Sequence, residues 1–128
     1  MNKTLKVLIV DDESDIANSI KKFLEGRGFQ TDTYIDPQKA LEDFKPNFYD
    51  LIILDIRMPK MNGFQLYREL MKKDDNSNIF FLTAYEEYRH EFTKAFPELD
   101  QRHFIKKPIS GTHLMEYLMK EVKINPRL

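Results

Sequence analysis

The stretch Leu5-Lys6-Val7-Leu8-Ile9-Val10-Asp11-Asp12 decides how the chain is read. A near-continuous apolar run that ends abruptly on an acid fits a strand covered on both faces, as in a parallel sheet. Asp50-Leu51-Ile52-Ile53-Leu54-Asp55 repeats the pattern. Gln30 to Tyr34 reads as a more polar second strand, Ile79 to Leu82 as the fourth, and His103 to Ile105 as a short fifth. Amphipathic segments separate these runs, and strands alternating with helices predict a parallel sheet with crossover helices.

The helices follow from periodicity. Ile16, Ile20, Phe23 and Leu24 recur at helical spacing until Gly26 and Gly28 stop them. Pro37 opens a short helix with Ala40, Leu41 and Phe44, and Pro46 follows it. Gly63 precedes a stripe of Leu66, Tyr67, Leu70 and Met71, and Asp74 to Asn78 breaks it. A fourth helix is expected from Ala84 to Phe96, ended by Pro97. The fifth starts near Ser110, a suitable N-cap, with Leu114, Tyr117, Leu118 and Val122 on one face. The expected fold is α/β: a doubly wound, flavodoxin-like sandwich with five parallel strands in order 2-1-3-4-5.

With 128 residues, 41% of them hydrophobic, the chain fits one domain with one core. Residues 1–124 are expected to form it, with 125–128 a short tail; the 128 residues leave no room for an output domain, so the chain is either a single-domain protein or a domain cut from a longer one. The net charge of -1 excludes bulk attraction to nucleic acid or anionic lipid. There is no cysteine, so disulfide scaffolds and cysteine-ligated metals are excluded. His90, His103 and His113 are not at ligand spacing. No apolar run exceeds four residues, so neither a signal peptide nor a membrane span is encoded.

In an open parallel sheet, ligands bind beyond the carboxyl ends of the strands, where the strand order reverses. For order 2-1-3-4-5 that point lies between strands one and three, from which Asp11, Asp12 and Asp55 emerge. Three carboxylates in a partly desolvated crevice repel one another unless a cation offsets them. Magnesium suits such an incomplete oxygen cage. Asp12 alone would fit a helix cap, but capping does not require acids at two adjacent strand ends. Strands four and five deliver Thr83 and Lys107 to the same crevice, and Lys107 is expected to pair with Asp55 when no phosphoryl group is present. A carboxylate can attack phosphorus to form an aspartyl-phosphate, and Asp55, central in the sheet, is the candidate nucleophile.

Val10-Asp11-Asp12-Glu13, Leu54-Asp55-Ile56-Arg57-Met58-Pro59, Asn62-Gly63, Thr83-Ala84 and Phe104-Ile105-Lys106-Lys107-Pro108 resemble the motifs of the CheY-like receiver domain of two-component response regulators. The strand order 2-1-3-4-5 used above is taken in part from this resemblance. The resemblance spans nearly the whole chain and implies a cytoplasmic signalling domain that catalyses its own aspartyl phosphorylation and dephosphorylation. Asp55 would be the phosphoacceptor. Asp11, Asp12, Asp55 and the Arg57 backbone carbonyl would hold magnesium, with manganese a substitute. Thr83, Lys107 and the Ala84 backbone N–H would contact the phosphoryl group. The donor would be a phosphohistidine on a sensor histidine kinase or a phosphotransfer protein. Thr83 and Phe104 resemble the pair that reshapes the surface of the fourth helix, fifth strand and fifth helix for an output partner, or for a phosphorylation-dependent homodimer.

The chain departs from the family at Pro97-Glu98-Leu99-Asp100-Gln101-Arg102, which lengthens the Thr83 to Lys107 interval. Tyr85 and Arg57 are expected to hinder water attack on the phosphorylated state. A haloacid-dehalogenase-type phosphatase would need an acid where Arg57 stands. A flavin carrier would need hydroxyls in place of Asp11-Asp12-Glu13. A P-loop hydrolase would need Gly-Lys-Ser/Thr, which is absent. The remaining alternative is a receiver-like binding module that works without phosphorylation.

Overall fold

The structure is a computed structural model, and it describes residues 4–76, 78–84, 94–99, 101–107 and 109–122. Five strands, β1 (Lys6–Val10), β2 (Gln30–Tyr34), β3 (Leu51–Asp55), β4 (Ile79–Thr83) and β5 (Phe104–Lys106), form one sheet in the order β2-β1-β3-β4-β5. All four pairings are parallel. The described helices are α1 (Ser14–Glu25), α2 (Pro37–Asp43), α3 (Gly63–Lys73) and α4 (Gly111–Val122), with a 3-10 turn at Gln101–His103. The expected flavodoxin-like doubly wound fold is therefore present. None of the described helices is long and apolar enough to cross a membrane.

The central strands are apolar throughout because the pleat sends alternate residues into two different cores. Leu8, Val10, Ile52, Leu54, Ile79 and Phe81 pack with Leu66 and Leu70 of α3 and Ala40 of α2. Val7, Ile9, Leu51, Ile53, Phe80 and Leu82 pack with Leu24 of α1 and with Leu114 and Leu118 of α4. Burying each such Leu, Ile, Val or Phe side chain stabilises the fold by roughly 1.5–3 kcal/mol.

Local chemistry sets the helix boundaries. The Asp36 carboxylate accepts from Gln38 N at 3.0 Å at the start of α2. Asn62 and Gln65 form a reciprocal capping box at the start of α3. Ser110 Oγ accepts from His113 N at 3.1 Å, so the expected cap of the last helix is made. Three strand ends lie one residue beyond the sequence reading: β3 includes Asp55, β4 includes Thr83 and β5 includes Lys106. Apolarity marks where a strand is buried, whereas ladder hydrogen bonds continue into the first polar residue.

Most of the helix expected over 84–96 falls outside the described residues, as do Tyr85, His90, Pro108 and the 125–128 tail. The unusual stretch after Pro97 is anchored to the core. Leu99 is buried, and Tyr67 Oη of α3 donates to Glu98 Oε2 at 2.8 Å. On the opposite layer, Tyr117 Oη of α4 donates to the Arg102 carbonyl.

Candidate functional site

The sheet register builds the site. Val10 lies opposite Leu54, so Asp11 follows β1 just beside Asp55 at the end of β3. Asp55 in turn lies opposite Leu82, one residue before Thr83. Asp11 N donates to the Tyr34 carbonyl at 3.0 Å, and Lys107 N to the Thr83 carbonyl at 2.8 Å. These backbone bonds lock the chain where it leaves β1 and β5.

Asp11, Asp55, Thr83 and Lys107 are all buried, although three of them ordinarily carry charge. Asp55 and Lys107 line an open cleft of about 600 Å³, together with Asp12, Glu13, Arg57 and Ala84 among others. Asp11, Asp12 and Asp55 each offer a carboxylate oxygen within 4.8 Å of the other two. Such a set suits a hard divalent cation, because ligands about 2.1 Å from a shared magnesium span roughly 4.2 Å, a small contraction away. Asp12 does not cap α1. Instead Asp11 Oδ1 accepts from Glu13 N at 2.9 Å, and the side chain of Glu13, the N-cap residue, makes no capping bond.

Lys107 is the cation of the cleft floor. Its Nζ lies 2.9 Å from Asp11 Oδ2, 3.0 Å from Glu13 Oε1 and 3.5 Å from Asp55 Oδ1. The expected pairing with Asp55 is thus the longest of three contacts. Asp11, at 1% exposure, is the most deeply buried of these acids and gains most from a neutralising ammonium. Burial pulls the Lys107 ammonium down, but its bonds to Asp11 and Glu13 outweigh that and leave its pKa raised. Asp55 is pushed up to about 7, first by burial and then by the charge of Asp11, with Lys107 only partly offsetting them. The site therefore has more negative charge than its own lysine neutralises.

Thr83 ends β4, two residues after Phe81, and both lie on one face of the sheet. Phe104 stands opposite Phe81 in the ladder, and the two rings stack with centroids 5.4 Å apart at 24°. Phe104 remains half-buried. The structure thus brings Asp12, Asp55, Arg57, Ala84 and Lys107 to one cleft, joins Asp11 to it through Lys107, buries Thr83 at the end of β4, and sets Phe104 two ladder positions below Thr83. The sequence reading missed the contact between Glu13 and Lys107. Ninety-four positions separate the two residues, and only the position directly after the acidic pair hinted at it.

The sequence model of the response regulator receiver domain family matches residues 7–119. The chain belongs to that family. Similar curated proteins include the regulatory protein VanRB of Enterococcus faecalis, 31% identical over 94% of this chain and 51% of that protein. The probable transcriptional regulator ycf27 of Guillardia theta is 36% identical over 85% of the chain and 42% of that protein. This receiver domain spans about half the length of the curated relatives it matches. Among solved structures, the Thermotoga maritima response regulator TrrA, in complex with Mg(2+)-BeF, is 32% identical with a TM-score of 0.74 over 91% of this chain and 98% of that one. The non-phosphorylated HemR receiver domain of Leptospira biflexa has a TM-score of 0.80 at 25% identity, covering 95% and 97%. The domain is a two-component response regulator receiver, and its acidic cluster is consistent with the magnesium that receivers bind.

Proposed function

We propose that residues 1–124 act in the cytoplasm as a phosphoacceptor receiver, in which Asp55 takes a phosphoryl group from a phosphohistidine on a sensor histidine kinase or phosphotransfer protein. This reading rests on one observation: three carboxylates converge beside a single buried lysine at the end of the central strand. Asp11, Asp12, Asp55 and the Arg57 backbone carbonyl would hold magnesium, with manganese as a substitute. When bound, the ion would neutralise charge on the phosphoryl oxygens.

The chain's own groups do the rest. An ionised Asp55 oxygen attacks phosphorus in line with the departing histidine nitrogen. The N–P bond breaks, an O–P bond forms, and the imidazole keeps the electron pair and takes a proton. Lys107 and the Ala84 N–H meet the phosphoryl oxygens, and Thr83 Oγ1 moves to another. Withdrawal of Thr83 lets the Phe104 ring turn inward, which reshapes the surface of β5, α4 and the segment after Ala84 for an output partner or a second copy.

Incubation with acetyl phosphate and magnesium, followed by intact-mass measurement, tests the proposal. The expected result is a gain of one phosphoryl group that requires the divalent ion and disappears in Asp55→Ala. No gain, or a gain that survives the substitution, would instead favour a binding module that works without phosphorylation.

A further inference from the structure

Lys107 has three N–H donors and three carboxylates around it. Two of those acids are buried residues of the cleft floor, but Glu13 is 58% exposed and reaches in from the rim. Its backbone is held by Asp11 Oδ1, and its side chain takes no part in capping α1. The carboxylate that approaches Lys107 at 3.0 Å is therefore outside the acidic triad, and among the described residues Lys107 is its partner.

We propose that Glu13 is a positioning residue, a removable counter-charge that holds the Lys107 ammonium with Asp11 in the resting site and must yield it to the incoming phosphoryl anion. Deepening the phosphoacceptor reading given above, on which it rests, this assigns Glu13 control over how readily the cleft takes an anion. The contact is an exchange. An ammonium bound to Glu13 offers fewer donors to a phosphoryl oxygen, so capture requires that this ion pair open. Because Glu13 is largely exposed, its carboxylate can return to water when displaced, whereas Asp11 cannot.

The charge also acts on the cation, with the opposite sign. Glu13 adds to the negative potential that attracts a divalent ion, and it subtracts from the positive potential that attracts an anion. Removing its charge should weaken the one and strengthen the other. A Glu13 that served only to favour the N-terminus of α1 would change the melting temperature and neither affinity.

The test is calorimetric titration of the parent and Glu13→Gln, first with magnesium alone and then with beryllofluoride at saturating magnesium. The expected result is magnesium affinity lowered and beryllofluoride affinity raised, each by about fivefold, as one exposed charge about 4 Å away and screened by bulk water produces. Glu13→Asp, which keeps the charge but shortens the reach, should retain the parent's magnesium affinity and bind beryllofluoride more tightly. If both affinities of Glu13→Gln shift in the same direction, or beryllofluoride affinity stays at the parent value, the proposal is overturned. A parent that binds neither probe would overturn the phosphoacceptor reading and this one together, so the two failures are distinguishable.

Discussion

A Cβ placed on Gly63 would fall 2.3 Å from the carbonyl oxygen of Asp55. The first residue of α3 and the last residue of β3 are therefore in backbone contact, and Gly63 N donates to the Ile56 carbonyl at 2.7 Å to hold them there. No side chain fits between them. Gly63→Ala should destabilise the domain by about 3 kcal/mol, the upper range for overpacking a rigid contact. It should also displace Asp55, so urea denaturation and magnesium titration are expected to show losses together. A variant with full stability would mean that the backbone there yields cheaply.

The raised pKa of Asp55 has a consequence for stability. In the unfolded chain this carboxyl titrates near its ordinary 3.8, and in the folded domain at about 7. Between those values Asp55 holds more proton in the folded state than in the unfolded one, so its contribution to stability falls as pH rises from about 4 to about 7. In metal-free protein, Asp55→Asn removes this contribution. Calorimetric melting temperatures of the two proteins should coincide at pH 4 and diverge in favour of the variant by pH 7.5. A constant gap across that range would contradict the assignment.

Lys107 neutralises a cluster of acids that are themselves buried. Lys107→Ala leaves Asp11 without its cation and should cost about 3 kcal/mol at neutral pH without metal, the lower range for breaking a buried pair. Magnesium should restore more stability to this variant than to the parent, because the ion then supplies the missing positive charge. Thermal melts with and without magnesium decide it. Equal gains in both proteins would argue against electrostatic substitution.

Tyr67 ties α3 to the unusual segment after Pro97. Its ring packs edge-on against Phe96 and Phe81, and its hydroxyl donates to Glu98, which raises the phenol pKa, although burial does so more. Tyr67→Phe keeps the ring and loses the bond, so the expected cost is about 1 kcal/mol. A double-mutant cycle with Glu98→Gln should return a coupling energy of similar size. Additive effects would place the Glu98 carboxylate in water.

Tyr85 and Arg57 are the side chains that the sequence offers as shields of an aspartyl-phosphate against water. Arg57 does line the cleft, and Tyr85 lies outside the described residues. For Arg57, the aspartyl-phosphate of Arg57→Ala should lose its phosphoryl group severalfold faster than that of the parent, measured by intact mass over time. An unchanged lifetime would remove Arg57 as a shield.

Much was legible along the chain because strands and helices are local patterns. Apolar runs at Val7 to Val10 and Leu51 to Leu54 could be satisfied only by burial on both faces, and the buried acids that ended them marked the carboxyl ends of the two strands. Ser110 was readable as a cap because a hydroxyl just before an apolar stripe has an N–H three residues away to accept. The stretch Pro97 to Arg102 was not readable, since its anchors are Tyr67 and Tyr117 from two different helices.

By itself, then, the sequence determined the parallel α/β architecture, the three acids, and the threonine and lysine that face them, because period and polarity are properties of neighbours in the chain. Only the tertiary structure decided how the lysine divides its charge among Asp11, Glu13 and Asp55. That division depends on distances and burial across strands β1, β3 and β5, and electrostatic energy is set by separation in space rather than position in sequence.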